Sequence, residues 1–393
     1  MHGRGAIVAT FALHALATMP VGARMPAIRD QAGLDAPSLG LALGAYAVSL
    51  LVGTRVVGRL MARFGDRRVL RVGAPLLCLA LIPVGFAHDL LTLAAPLVLL
   101  GLLAGGLDVT MNAYAVGLER RMGRPILSGL HGAWSAGMLA SGAIALAAVA
   151  AGIGPAAQFT VSGVACALAS VVLLRGLEDI PMEQAGPASA APVDVRVVLL
   201  PTLVLGIIGF GSFVLEGAIM DWGQIYLRDV GHAAAEMAAL AYLANAMGML
   251  VSRLLGDRTV VAVGPVGLVR WSCVAAALSL GLVVARPDPM LAVVAYAVIG
   301  LAVGPIFPVA LSAAGAMGSA SSFVLGWVVT MAYLGSVAGP MLIGFVAGAA
   351  GLREAFLIPV VLGIVLAFLA PAVRGAARGP RPSSVPDTDA PLV

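Results

Sequence analysis

The chain has 393 residues, of which 61% are hydrophobic and only 11% are charged, and its formal net charge is +4. Soluble domains carry about a quarter charged residues, so this composition excludes a water-soluble enzyme or a nucleic-acid-binding domain. The arginines lie in short polar segments between apolar runs, where charge sets membrane orientation rather than binding nucleic acid.

A helix that crosses a bilayer needs about 20 mostly apolar residues. The first such run follows Arg4 and resembles a signal peptide, but further runs follow, so we interpret it as a retained membrane helix. The apolar runs predict twelve helices, at 5–23, 38–58, 69–87, 89–118, 126–150, 156–174, 198–227, 236–255, 260–285, 289–315, 321–350 and 353–373.

A polar segment separates the sixth helix from the seventh. It is rich in Pro, Ala and acidic residues, which is the composition of a linker. We therefore expect a six-helix bundle at 1–174, a cytoplasmic linker at 175–197, a second six-helix bundle at 198–373 and a disordered tail at 374–393. With both termini in the cytoplasm, sixteen arginines face that side and five the other, as the positive-inside rule predicts for a bacterial cytoplasmic membrane.

Two stretches of the chain repeat one another. The sequence GRLMARFGDR at 58–67 is repeated as GMLVSRLLGDR at 248–258, which pairs Arg63 with Arg253 and Asp66 with Asp257. Repeats that relate two bundles are typical of secondary transporters, whose site lies between the repeats near mid-membrane. The sequence thus predicts an all-α integral membrane protein of two pseudo-symmetric six-helix bundles.

The first stretch resembles the loop signature of the major facilitator superfamily. Ala62 stands at the acidic position of that signature, and Asp66 stands where a basic residue is usual. The resemblance implies the fold of that superfamily. It also implies a cytoplasmic gate made by Gly58, Arg63, Gly65, Asp66 and Arg67, with Arg253 and Asp257 in the second copy.

Helix 4 resembles that of the branch related to fucose permease. Its sequence GLDVTMNAY at 106–114 is similar to Gly-Leu-Glu-x-x-x-Asn-Pro-aromatic, with Asp108 at the glutamate position and Asn112 at the asparagine. Helix 7 resembles uncharacterised bacterial transporters loosely related to the same branch. The resemblance implies that Asp108 carries the coupling proton. It also implies that His131 and Trp134 occupy the positions that touch sugar in that branch, although neither residue type is kept.

Ionisable groups inside membrane helices are costly, so each is a functional candidate. We predict Asp108 and Glu216 as proton-coupling acids; the alternatives are an ion pair of Asp108 with Arg55 or Arg63, and a gate pair for Glu216. Asp221 and Trp222 are interpreted as an interfacial anchor. The predicted substrate-binding residues are Asn112, His131, Trp134 and His14, and the alternative for His14 is packing.

These features favour proton-coupled import of a small polar, sugar-like solute. The alternatives are proton-driven efflux of a metabolite or drug, or a receptor or scaffold, which would not need intramembrane acids. The chain carries no catalytic motif and no cluster of metal-ligating residues, so we expect no enzyme, cofactor or metal. The expected partners are a small-molecule substrate, protons and the lipid bilayer, with no nucleic acid, and the protein is expected to be a monomer.

Overall fold

The computed structural model describes residues 2–123, 126–179, 195–317 and 320–377. Most of the predicted linker (175–197) and of the predicted tail (374–393) lies outside these residues. The described residues hold twelve helices long and apolar enough to cross a membrane, here numbered spans 1 to 12: Gly3–Ala23, Ala36–Phe64, Asp66–Phe86, Leu90–Met122, Gly129–Ala150, Pro155–Gly176, Val198–Asp229, Ala235–Gly256, Arg258–Ala285, Pro289–Gly315, Phe323–Ala350 and Leu352–Gly375. A short helix, Met25–Ala32, lies between spans 1 and 2.

The spans pack as two bundles. Spans 1 to 6 pack on one another and spans 7 to 12 do the same, while the main contacts between the halves join span 2 to span 11 and span 5 to span 8. The predicted all-α fold of two six-helix bundles is confirmed. Helices suit this environment because each one satisfies its own backbone N–H and C=O groups where lipid offers no hydrogen bonds.

The two bundles repeat at an offset of 199 positions. Gly65 ends span 2 with φ 77° and ψ 154°, and Gly264, 199 positions later, ends the corresponding helix with φ 74° and ψ 159°. Glycine adopts this positive-φ backbone without steric cost, which explains its presence at both turns. Asp89 and Asp288, again 199 positions apart, cap spans 4 and 10 by accepting backbone N–H bonds from Thr92 (2.7 Å) and Leu291 (2.8 Å).

This offset corrects the repeat proposed from sequence. Pairing Asp66 with Asp257 predicted a turn directly after Gly256, but the helical run Ala235–Ala285 passes through that point and turns only at Gly264. The backbone of Asp257 is therefore helical, and its side chain lies outside the described ones. The matching letters were Gly, Asp and Arg, whereas the feature that the turn requires is a glycine at positive φ.

Small residues at the same offset hold neighbouring spans together. A Cβ atom on Gly101 would lie 2.5 Å from the carbonyl oxygen of Tyr46, and one on Gly300 would lie 2.1 Å from that of Asn245; both members of the second pair stand 199 positions after those of the first. Such backbone-to-backbone approach is how membrane helices associate without a hydrophobic driving force. These contacts fix span 4 on span 2 and span 10 on span 8, and so fix the side chains that these spans carry into the space between the bundles.

Candidate functional site

The two bundles touch at one end, which we call the closed end; it carries the short helix Met25–Ala32. Spans 2 and 11 cross there in backbone contact, because a Cβ atom on Gly344 would lie 2.6 Å from the carbonyl oxygen of Ala36. Spans 5 and 8 meet near the same end, where a Cβ atom on Gly142 would lie 3.1 Å from Leu243. Glycines at these crossings allow the halves to seal against one another.

Charged groups at the closed end join the two halves. Arg29 pairs with Asp229, and Arg228 donates to Asp30 at 2.7 Å. Burial alone would raise the pKa of Asp30, but the hydrogen bond from Arg29 and the charge of Arg228 hold that pKa below its usual value. Asp30 therefore stays charged down to about pH 4, and its pairs with Arg29 and Arg228 weaken only as the pH falls further.

The sequence analysis did not identify this network. Its signal was the occurrence of adjacent opposite charges twice, Arg29-Asp30 after span 1 and Arg228-Asp229 at the end of span 7. Two neutral hydrogen bonds between the halves accompany the ion pairs: Gln224 Nε2 donates to the Gly22 carbonyl oxygen at 2.8 Å, and Tyr242 Oη donates to that of Met19 at 3.3 Å.

We expect Arg29→Glu to weaken the closed end, because it replaces an ion pair with like charges facing Asp229. Partly exposed ion pairs contribute about 0.2–1 kcal/mol, so the equilibrium between closed and open should move by a factor of about 1.4 to 5. A double-mutant cycle with Asp229→Arg measures the interaction between the two residues, and the labelling rate of a cysteine placed at the closed end reports the equilibrium. In the Arg29→Glu/Asp229→Arg protein the closed-to-open equilibrium should return towards that of the wild type. If the effects of the two substitutions simply add in the double variant, the two residues do not form a direct pair.

At the opposite, open end the bundles separate. Within the described residues, spans 4 and 5 make no extensive contact with spans 10 and 11. Gly132 of span 5 and Gly326 of span 11 have no atom of another residue within 4 Å of where a Cβ would stand. Polar side chains in the space between the bundles are accordingly reached from this end.

The predicted gate residues of the first bundle lie at the open end and contact their own half. Arg63 lies over the ring of Phe64, 5.2 Å from its centroid, and Arg67 pairs with Asp179 directly after span 6. Asp66 is buried, and its Oδ1 atom has no partner among the described residues. In this conformation none of these side chains bridges to the second bundle within the described part of the chain, and their role as a gate stays a prediction.

Asp108 faces the space between the bundles, half-buried, about 27 Å along span 4 from its start at the closed end. Asn112, one turn further, donates from Nδ2 to the Asp108 carbonyl oxygen at 2.8 Å and to Oδ1 at 3.3 Å. Among the described residues, Asp108 forms no ion pair with Arg55 or Arg63. The arrangement leaves its carboxylate available to a ligand or a proton.

Glu216 and Asp221 are also half-buried in span 7, and neither makes a side-chain hydrogen bond or ion pair with a described residue. Glu216 lies about 20 Å from the closed end of its span by the helical rise. The interpretation of Trp222 as an interfacial anchor is wrong. Trp222 is 0% exposed and packs under span 11, 3.2 Å from a Cβ on Gly344.

His14, Trp134 and Arg253 form a chain of contacts across the bundles. Trp134 Nε1 donates to His14 Nδ1 at 3.2 Å, so His14 Nε2, 3.1 Å from the Ala104 carbonyl oxygen, carries the proton. Because both nitrogens of this neutral ring are used, His14 orients Trp134. Arg253, from the second bundle, lies 5.1 Å from the centroid of the Trp134 ring and donates to Ser135 Oγ at 3.1 Å.

His131 packs its ring edge-to-face against Phe11 at 5.4 Å and stays exposed towards the open end. Asp108 and Arg253 are both close enough to act on it electrostatically. The predicted substrate-binding and proton-coupling residues thus lie on spans 1, 4, 5 and 7, and Arg253 of span 8, which was predicted as a gate residue, contacts two residues of span 5.

We expect Trp134→Phe to lower stability, because it removes the indole N–H and leaves His14 Nδ1 without its donor while keeping a ring under Arg253. The loss of a partner for a partly buried acceptor costs about 1–3 kcal/mol. Thermal unfolding in detergent measures it. The control is Trp271→Phe, whose side chain is 67% exposed and should unfold like the wild type. Equal unfolding temperatures for the two variants would show that the hydrogen bond from Trp134 to His14 does not contribute to stability.

Comparison with known proteins places this architecture. The family model described as Major Facilitator Superfamily matches residues 7–318. The chain belongs to the major facilitator superfamily. Its members are membrane transporters, so this protein is a transporter and not an enzyme.

Relatives and solved structures agree with this assignment. An uncharacterised MFS-type transporter of Yersinia pestis is 27% identical and is matched over 84% of this chain and 85% of its own. Membrane protein MosC of Rhizobium meliloti is 28% identical over 92% of this chain and 88% of its own. The nucleoside transporter NupG has 14% identity and a TM-score of 0.73, and the match covers 94% of this transporter and 98% of NupG. A D-xylose-proton symporter has 16% identity and a TM-score of 0.75, with 94% and 98% covered; both structures show the fold alone.

Proposed function

We propose that the protein is a proton-coupled secondary transporter that imports a small polar solute by alternating access between its two bundles. The observation that carries the proposal is the presence of Asp108 and Glu216 in opposite bundles, near mid-membrane, without a cationic partner among the described residues. Intramembrane acids that face a water-filled space are the groups that relay protons in transporters. A receptor or scaffold has no need of them.

The arginine bias supports an orientation in which the open end and both termini face the cytoplasm. Sixteen arginines then lie on that side, and the conformation described here faces inward. The closed end, with Arg29, Asp229 and the span 2–span 11 crossing, then seals the periplasmic side. Asn112, His131 and Trp134 face the inward cavity, where a solute would be released. The chain divides at the segment 175–197 into two transporting halves.

Transport into proteoliposomes with and without a pH gradient tests the proposal. With the cytoplasmic face inside, an outwardly acidic gradient should drive accumulation of at least one solute of a panel of sugars, polyols, nucleosides and organic acids. A gradient of one pH unit supports about tenfold accumulation for one proton per solute, because one unit corresponds to about 1.36 kcal/mol. Solute that only equilibrates under every gradient would contradict proton coupling. Solute that moves opposite to the protons would replace import by efflux through the same cavity.

A further inference from the structure

Arg253 is a cation in the cavity that the proton-coupling scheme does not use. It lies about 27 Å along span 8 from the closed end, the same depth as Asp108 on span 4. Its side chain is exposed, and no described carboxylate lies within salt-bridge distance of it. Asp108, Glu216 and Asp221 are half-buried acids of spans 4 and 7, and none of them forms an ion pair with Arg253 among the described residues.

The Arg253 guanidinium is held in place by few contacts, and most of its hydrogen-bond donors have no partner among the described residues. Nη1 donates to Ser135 Oγ, which in turn donates to the His131 carbonyl oxygen at 3.0 Å, and the group lies over the Trp134 ring. Of the five N–H donors of an arginine, only this one has a partner among the described residues. The planar fork is therefore positioned beside an aromatic face, and its other donors have no partner among the described residues.

We propose that Arg253 binds a carboxylate of the transported solute, whose body lies against Trp134; the substrate class is a small organic acid rather than a neutral sugar. This inference rests on the proposed transport function for the location of the site. Arginine forks match carboxylates with two parallel hydrogen bonds, which lysine cannot reproduce. A solute held between Arg253 and Trp134 would add to the contact that Arg253 of span 8 already makes with Ser135 of span 5, so that loading the site strengthens the link between the two halves.

Quenching of Trp134 fluorescence by charged and neutral quenchers tests whether the electrostatic potential beside Arg253 is positive, and it requires no knowledge of the substrate. The single-tryptophan protein Trp222→Phe/Trp271→Phe/Trp327→Phe is titrated with iodide, caesium and neutral acrylamide. Iodide should quench more strongly than caesium, and Arg253→Gln should lower the iodide-to-acrylamide ratio about fivefold, since a unit charge at about 4 Å in water is worth about 1 kcal/mol. If that protein does not fold, the difference between wild type and Trp134→Phe gives the same signal. Stronger quenching by caesium, or an unchanged ratio in Arg253→Gln, overturns the proposal.

Paired ligands then test the chemistry. Gluconate and glucose, benzoate and benzamide, and lactate and lactamide are compared by thermal shift on the detergent-solubilised protein. Carboxylates should bind more tightly than their neutral partners, with a loss of about tenfold or more in Arg253→Gln and a partial loss in Arg253→Lys. Arg258→Gln, further along the helical run Ala235–Ala285, should leave binding unchanged. Tighter binding of the neutral members overturns the proposal. Carboxylate binding without pH-driven uptake contradicts the proposed coupling but leaves this inference standing.

Discussion

Uphill transport is expected to disappear in Asp108→Asn, while exchange of solute across the membrane continues. The amide mimics a carboxyl group that stays protonated. Because it cannot release a proton, the pH gradient can no longer drive the transport cycle. The contact with Asn112 survives, because the donor reaches the backbone oxygen of Asp108 as well as its side chain. The accumulation ratio should fall from about tenfold at one pH unit to one, measured in proteoliposomes.

Two further variants separate coupling from folding. Asp89→Asn changes a carboxylate that caps span 4 at the closed end, and it should keep pH-driven accumulation. Glu216→Gln tests the other acid in the same assay. If Asp108→Asn still concentrates solute, Asp108 has a structural role and Glu216 becomes the coupling acid. If both single variants accumulate solute normally, the proton is not carried by these groups.

The fold was predictable from the sequence because its determinants are local. Twelve apolar runs and the arginine bias depend on composition within about 20 residues, and the structure confirms the twelve helices. The ion pairs at the closed end were not predictable, since Arg29 and Asp229 are 200 positions apart in the sequence and meet only in the folded chain. Trp222 was misplaced for the same reason. A tryptophan near a helix end indicates an interface only when no neighbouring span covers it.

The internal repeat shows that residue identity alone can align the two halves incorrectly. Gly256-Asp257 resembles Gly65-Asp66 as text, yet the conformational partner of Gly65 is Gly264. The offset of 199 also places Tyr333 of span 11 opposite Trp134 of span 5 in the repeat. Each half therefore carries an aromatic residue at this repeat position, Trp134 in the first and Tyr333 in the second. The polar residues are unequally shared, however: Asp108 corresponds to Phe307, so the second half has no acid at that position.

Gly344→Leu is expected to hold the transporter with its closed end open. A Cβ atom alone would lie 2.6 Å from the Ala36 carbonyl oxygen, 3.1 Å from the Cα of Gly40 and 3.2 Å from Trp222, so a leucine cannot fit between spans 2 and 11. Overpacking costs about 1–3 kcal/mol, which shifts a two-state equilibrium about fivefold to 150-fold. In the proposed alternating-access cycle the crossing separates when the closed end opens, so the cost should fall on the closed state.

Labelling of Gln224→Cys by a membrane-impermeant maleimide from outside measures the shift, in a background without Cys78, Cys166 and Cys273. Gln224 is 4% exposed and bonds across the bundles to Gly22, so its position is accessible only when the closed end opens. Gly326→Leu is the matched control, since this glycine of the same span has open space where its Cβ would stand. The rate should rise in Gly344→Leu and stay unchanged in Gly326→Leu, while His131→Cys labels more slowly from the cytoplasmic side. Unchanged labelling at both positions, with transport lost, would reduce Gly344 to a packing residue and leave the gate to the ion pairs of Arg29 and Arg228.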